Sequence, residues 1–175
     1  MDIYEKHRAS IEDWVKSYQT AKVIMDFPSD VDLSFERSGT LASVRMSVDK
    51  VTFAMNGGCC ININPYLVEI NTSENLRQFI YSHEIGEITL LDPLTSICFC
   101  LARTFRIPIV PISRIKERQV NRKVYDSFCK KSNSNNASER MRKLVEEWLD
   151  LRPEDYGNKL RDTNEYIKKY MPFLM

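Results

Sequence analysis

The chain has 175 residues, 43% hydrophobic and 28% charged, enough for one globular domain with a substantial core and a charged surface. Five cysteines, with Cys59 and Cys60 adjacent and Cys98 and Cys100 two apart, exclude the paired framework of a disulfide-stapled secreted domain and predict buried, reduced thiols. No basic-then-apolar leader opens the sequence, and the most apolar window, 97–112, contains Arg103 and Arg106; a cytoplasmic protein without a membrane span is expected.

Taken in chain order, Ile3, Ile11, Trp14, Val15, Tyr18, Ala21 and Val23 recur every three to four residues and predict a helix over 3–24. The stretch DFPSDVD breaks it. The pattern then changes to alternation, giving strands near 41–48, 50–56 and 59–64, the last following Gly57-Gly58, a hairpin signal. Pro65 ends that strand. Thr72 or Ser73 can cap a helix that runs to about Leu91 and stops at Asp92-Pro93. An apolar stretch over 94–112 precedes helices at about 113–131, 138–151 and 159–170, with a polar loop, KKSNSNNAS, after the first of these. The expected fold class is α+β, a small antiparallel sheet packed on helices. Residues 1–131 form the main domain and 132–175 a C-terminal helical extension.

The net charge of +1 is unevenly spread. Residues 1–102 carry 14 acids against 8 bases, whereas residues 103–143 carry 12 bases against 3 acids. A basic block of this size suits an acidic partner or nucleic acid, with Arg114, Lys116, Arg118, Arg122 and Lys123 as contact residues. The competing reading is a solvated helix face neutralised by the rest of the molecule.

The segment FIYSHEIGEITLLDP, from Phe79, holds one of only two histidines. On a helix, positions 76, 79, 80, 83, 87, 88 and 91 fall on one stripe, apolar apart from His83 and Glu87. These two stand one turn apart, close enough to hold one ion. Glu84 is rotated by about 100°, where it can take a proton from water rather than ligate. Gly86 permits close approach of another segment, at about 1 kcal/mol of helix stability. Carboxylates on a half-buried face need a compensating charge, which a divalent cation or a salt bridge can supply. His7, on the first helix, is read as structural or exposed, and Asp92 as a helix stop.

The order of strand ININPYL, short loop and helix with H-E-I-G resembles the zincin layout, in which the edge strand feeding the metal helix binds the substrate backbone. More particularly, LRQFIYSHEIGEITL resembles the active-site helix of the ImmA/IrrE family of metallopeptidases, which reads H-E-[LI]-G-H. That family has a third ligand on a later helix in a pattern like E-x-x-[AC]-N-x-x-A, matched here by Glu117 and Asn121, with Val120 where the family has a small residue. The resemblance covers about residues 40–130. It implies His83, Glu87 and Glu117 as metal ligands, Glu84 as general base, and limited proteolysis of a regulatory protein, often a helix-turn-helix repressor. Glu87 departs from the pattern, which has histidine there. A His/Glu/Glu set adds negative charge, makes bound water less acidic, and favours manganese or iron relative to zinc. Tyr66, Tyr81, Arg103 and Arg106 are candidates to steady an oxyanion.

Two alternatives to a peptidase stand beside it. One is a catalytically inactive relative that acts as a regulator or inhibitor through protein contacts; the other is a nucleic-acid-binding protein using the basic block. Replacing Glu87 with histidine separates a ligand position from a bystander, because a jump in metal affinity requires the side chain to reach the ion.

Overall fold

The computed structural model describes residues 3–46, 59–70, 72–90, 110–130, 136–151 and 162–175. The expected first helix is two pieces, α1 (Ile3–Lys6) and α2 (Arg8–Ile24), parted at His7. Helix α2 ends where DFPSDVD begins. Asp26 takes a left-handed φ of 52°, and the Asp26 and Phe27 N–H groups turn back to the carbonyls of Val23 and Lys22. This wrapped ending satisfies the last carbonyls with the short polar side chain that best tolerates the conformation after glycine and asparagine.

Strand β1 (Asp32–Ser34) follows directly, and sequence reading missed it. Its signal is the alternation Val31, Leu33, Phe35, masked by the turn-forming Asp and Ser residues between them. The sheet order is β1-β3-β2, with β2 spanning Ala42–Met46 and β3 Cys59–Ile63. Strand β2 runs antiparallel to β3, with Val44 opposite Ile61, and β1 runs parallel to β3, with Leu33 also opposite Ile61. The sheet is therefore mixed, not antiparallel as expected, because its third described strand comes from before β2. The segment expected to form a strand over 50–56 lies outside the described residues, and β2 bonds to β3 directly.

A second correction concerns β3. Expected to be the edge that receives a substrate, it is the central strand with both sides paired, and Ile61 and Ile63 are fully buried. Asn62, also fully buried, accepts from the Ser34 hydroxyl and the Glu36 N–H and donates to the Glu36 carbonyl and the Ser38 hydroxyl. Asn64 donates to the carbonyls of Ser38 and Thr40 and accepts from the Tyr66 N–H, opening the short helix α3 (Pro65–Glu69). At about 1 kcal/mol net per bond, these two side chains pin the 34–41 segment against the sheet.

Helix α4 (Glu74–Leu90) is the pillar of the molecule, started by Ser73, whose hydroxyl accepts from the Leu76 N–H. It packs against α2, β2, α5 (Val110–Val124) and α6 (Ala137–Asp150). Burial is accordingly not confined to one stripe. Tyr81, Ser82 and Ile85 are completely enclosed, and Tyr81 meets Trp14 and Tyr18 edge-on with ring centroids 5.6 and 5.4 Å away. Each such pair adds about 0.5–1.5 kcal/mol beyond its buried area. On the stripe carrying His83 and Glu87, Leu76, Phe79 and Ile80 are buried, whereas His83 and Glu87 are half-buried and form part of the wall of a cleft.

Helix α5 continues into a wider-wound π-helical turn, Tyr125–Lys130. Helices α6 and α7 (Thr163–Tyr170), followed by a 3-10 turn over Pro172–Leu174, complete the described chain. Their apolar faces, including Met141, Val145, Ile167 and Met171, join the same hydrophobic cluster as Ile61, Leu76 and Val120. Cys59 and Cys60 are half-buried and unbridged; Cys98 and Cys100 lie outside the described residues. Among the described residues, no helix is long and apolar enough to cross a membrane.

Candidate metal centre

Helices α4 and α5 meet at Gly86. A Cβ there would lie 3.1 Å from the Val120 Cγ1, so the missing side chain is what lets α5 approach this closely. The contact places Glu117, one turn before Val120, across from His83. His83 Nε2 stands 3.7 Å from Glu117 Oε1. His83, Glu87 and Glu117 each offer a ligand atom, and these atoms all lie within 4.8 Å of one another. Ligand atoms around a tetrahedral zinc ion stand about 3.4 Å apart, so coordination needs side-chain movements of about 1 Å. The three residues expected to share an ion are thus brought together, from segments 30 residues apart in sequence.

Glu84 lines the same cleft and is only 6% exposed, and its Oε2 has no hydrogen-bond partner among the described residues. An ionised carboxylate left this way is costly. Burial drives its pKa up to about 8, with His83 and Lys116 pulling it down and Glu87 and Glu117 adding to the rise. Burial is also the largest influence on His83 and acts to lower its pKa, but Glu117, Glu84, Glu87 and Asn121 together outweigh it and the imidazole sits above its ordinary value. Asn121, fully buried one turn beyond Glu117, lies near enough to favour the imidazolium, yet neither atom of its side-chain amide makes a well-aligned hydrogen bond among the described residues.

Among the described residues, the three carboxylates of Glu84, Glu87 and Glu117 are met by the Lys116 ammonium, whose Nζ lies 3.4 Å from Glu87 Oε1. Fully ionised and with neutral histidine, this group carries two uncompensated negative charges, which a divalent cation would cancel. Protons held by Glu84 and His83 do the same work in its absence. The residues present therefore fit a divalent ion: one histidine and two carboxylates to hold it, a fourth carboxyl at the wall, and an orphaned buried oxygen awaiting a partner.

The cleft has a volume of 320 Å³. One side is polar and formed by His83, Glu84, Glu87 and Glu117; the other is formed by Thr40–Val44, Val145, Trp148 and Tyr166. Strand β2 therefore takes the rim position expected of β3. Among the described residues its outer edge has no strand partner.

Of the four candidates to steady an oxyanion, Tyr81 is locked in the core, Tyr66 is exposed away from the cleft, and Arg103 and Arg106 lie outside the described residues, as does Asp92. The residue that sequence reading missed is Tyr166. Its hydroxyl donates to Glu117 Oε1 at 3.3 Å, from a helix 49 residues further along the chain. The spacing of Tyr166, Ile167 and Tyr170 marks an amphipathic helix, but nothing in it points to this cleft.

Of the five basic candidates, Arg118, Arg122 and Lys123 line one open surface pocket together with Ile115 and Asp126. Lys116 turns inward to Glu87. Arg118 donates to the Lys169 carbonyl, and Arg122 pairs with Asp126 and lies over the Phe173 ring. Lys123 donates to the Thr89 hydroxyl and burial lowers its pKa, while Arg114 is exposed. His7 sits at the α1–α2 junction, 3.8 Å from Glu69.

No family model, curated protein or solved structure matches this chain.

Proposed function

We propose that the chain is a divalent-metal-dependent peptidase that cleaves an extended polypeptide segment of a protein substrate. The supporting observation is the convergence of His83, Glu87 and Glu117 from two helices on one point of a cleft, with the unpartnered carboxyl of Glu84 beside them. A bound cation would supply Lewis acidity toward the scissile carbonyl and toward water. Glu84, ionised once a cation balances the charge of the cleft, then accepts the proton from attacking water and passes it to the leaving amine. Strand β2 receives the substrate backbone as an added strand. The Tyr166 hydroxyl, released from Glu117, donates to the carbonyl oxygen as negative charge develops on it. The ligand set and the role of Glu84 are those that the likeness of the H-E-I-G helix to the ImmA/IrrE peptidases implies; the roles of β2 and Tyr166 rest on the cleft alone.

The test uses zinc- or manganese-loaded protein and a mixture of quenched fluorescent peptides. Cleavage should need the metal, and Glu84→Gln should lower the rate by about a hundredfold or more while metal stays bound. Loss of metal and activity together in that variant would count against Glu84 as the base.

A second reading has its own observation. The Lys116 ammonium occupies one oxygen of Glu87, as an internal cation would in an inactive protein that acts through contacts alone. Purified protein that takes up neither zinc nor manganese decides for it.

A further inference from the structure

Glu87 is where the resemblance breaks, and Lys116 is the residue that answers it. Lys116 precedes a ligand, Glu117, in sequence, yet its side chain is only 17% exposed and its Nζ lies 3.4 Å from Glu87 Oε1. It is not among the residues lining the cleft, so it supports Glu87 from beside the site and leaves the cavity to the other groups. Burying a lysine stem and ammonium this far is unfavourable without a carboxylate to receive it.

We infer that Lys116 is the counter-charge that allows a carboxylate to stand at the second ligand position, so that Glu87 and Lys116 together present a cation with the charge a neutral imidazole would. The inference rests on the metal-dependent reading above. Two carboxylate ligands with one ammonium carry a net charge of −1, the same as two histidines and one glutamate. Lys116 is thus a positioning residue. It orients Glu87 and tempers its charge, and it does not contact the substrate. The consequence is specific: replacing Glu87 with histidine does not by itself improve zinc binding, because it strands the ammonium beside a dication with no carboxylate between them.

The experiment is a double-mutant cycle in the full chain, reading zinc affinity by competition with a chromophoric chelator. The proteins are wild type, Glu87→His, Lys116→Met and the double variant. Glu87→His should raise affinity in the Lys116→Met background by at least about tenfold more than it does in the wild-type background, the range neighbouring charges can couple. Lys116→Arg keeps the charge, so Glu87→His should gain as little there as in wild type, which guards against a Lys116→Met variant that folds poorly. Equal gains in both backgrounds, with wild type binding zinc, overturn the inference alone. Zinc bound by Lys116→Met but not by wild type shows that the ammonium excludes the ion, which also overturns it and favours the inactive regulator. Zinc bound by none of the four overturns the metal reading itself.

Discussion

The two histidines of this chain make the same pair contact in different places. His7 lies 3.8 Å from a carboxylate of Glu69, and His83 lies 3.7 Å from one of Glu117. Distance alone would rank them equal. In its contact His7 meets one carboxylate, nearly half exposed; around His83 there are three carboxylates, a buried asparagine and a cavity. A half-buried histidine beside a glutamate is thus not by itself a site, which requires further ligands that the fold brings from elsewhere. The difference lies in the packing of α4 on α5, since α1 and α3 bring nothing comparable to His7.

The most severe break in that comparison is loss of the imidazole. His83→Ala should weaken zinc binding by about a hundredfold or more, since it removes the one nitrogen among the three proposed ligands, while His7→Ala should leave it unchanged. Metal content after gel filtration, together with chelator competition, measures both. Equal losses would mean that the effect passes through folding and not through coordination.

How much of this could be read from the residues is itself uneven. The helix carrying His83, its cap at Ser73 and the later helices were legible, because apolar spacing and capping residues act locally. The pairing of His83 with Glu117 was legible only through a resemblance, since no periodicity in a single segment says which distant carboxylate will arrive. Strand β1 was hidden by two residues with turn-forming character, Asp32 and Ser34, and the central place of β3 by the fact that strand order is set by long-range pairing. Tyr166 and the inward turn of Lys116 were illegible for the same reason. A lysine in a basic block looks solvated until the acid it faces, Glu87 on another helix, is known.

Proton linkage sharpens the contrast at an intermediate level. In metal-free protein Glu84 titrates near 8 instead of 4.5, so the native state keeps a proton that the unfolded chain releases. Its contribution therefore falls as pH climbs from about 4.5 to 8 and is fully lost above that range. His83, raised above 6.5, acts in the same direction: its stabilisation is present below the unfolded value and disappears as pH passes the folded one. With chelator present, the thermal midpoint should drop by about 5 °C or more between about pH 5 and 8. Glu84→Gln should flatten this decline, and His7→Ala should leave its slope intact. Saturating metal should reverse the trend, because the ion binds only deprotonated ligands. A decline that Glu84→Gln does not alter would place the titrating group elsewhere.

The smallest expected effect is also the most local. Gly86→Ala adds a methyl 3.1 Å from Val120 Cγ1, with Met25 and Val124 carbons at 3.8 Å. Alanine favours the helix by about 1 kcal/mol, and the crowding costs about 1–3 kcal/mol, so net destabilisation should stay near 1 kcal/mol. Relief comes from α5 moving back by a few tenths of an ångström, which carries Glu117 away from His83. Zinc affinity should then fall severalfold, more than the modest change in stability would suggest. Val120→Ala in the same chain removes the obstructing methyl groups and should restore affinity even though it trims the core further. Recovery of binding without recovery of stability would tie the close helix approach to the spacing of the ligands. If both recover together, Gly86 serves packing alone, and the gap between the two histidines narrows to the number of carboxylates each one faces.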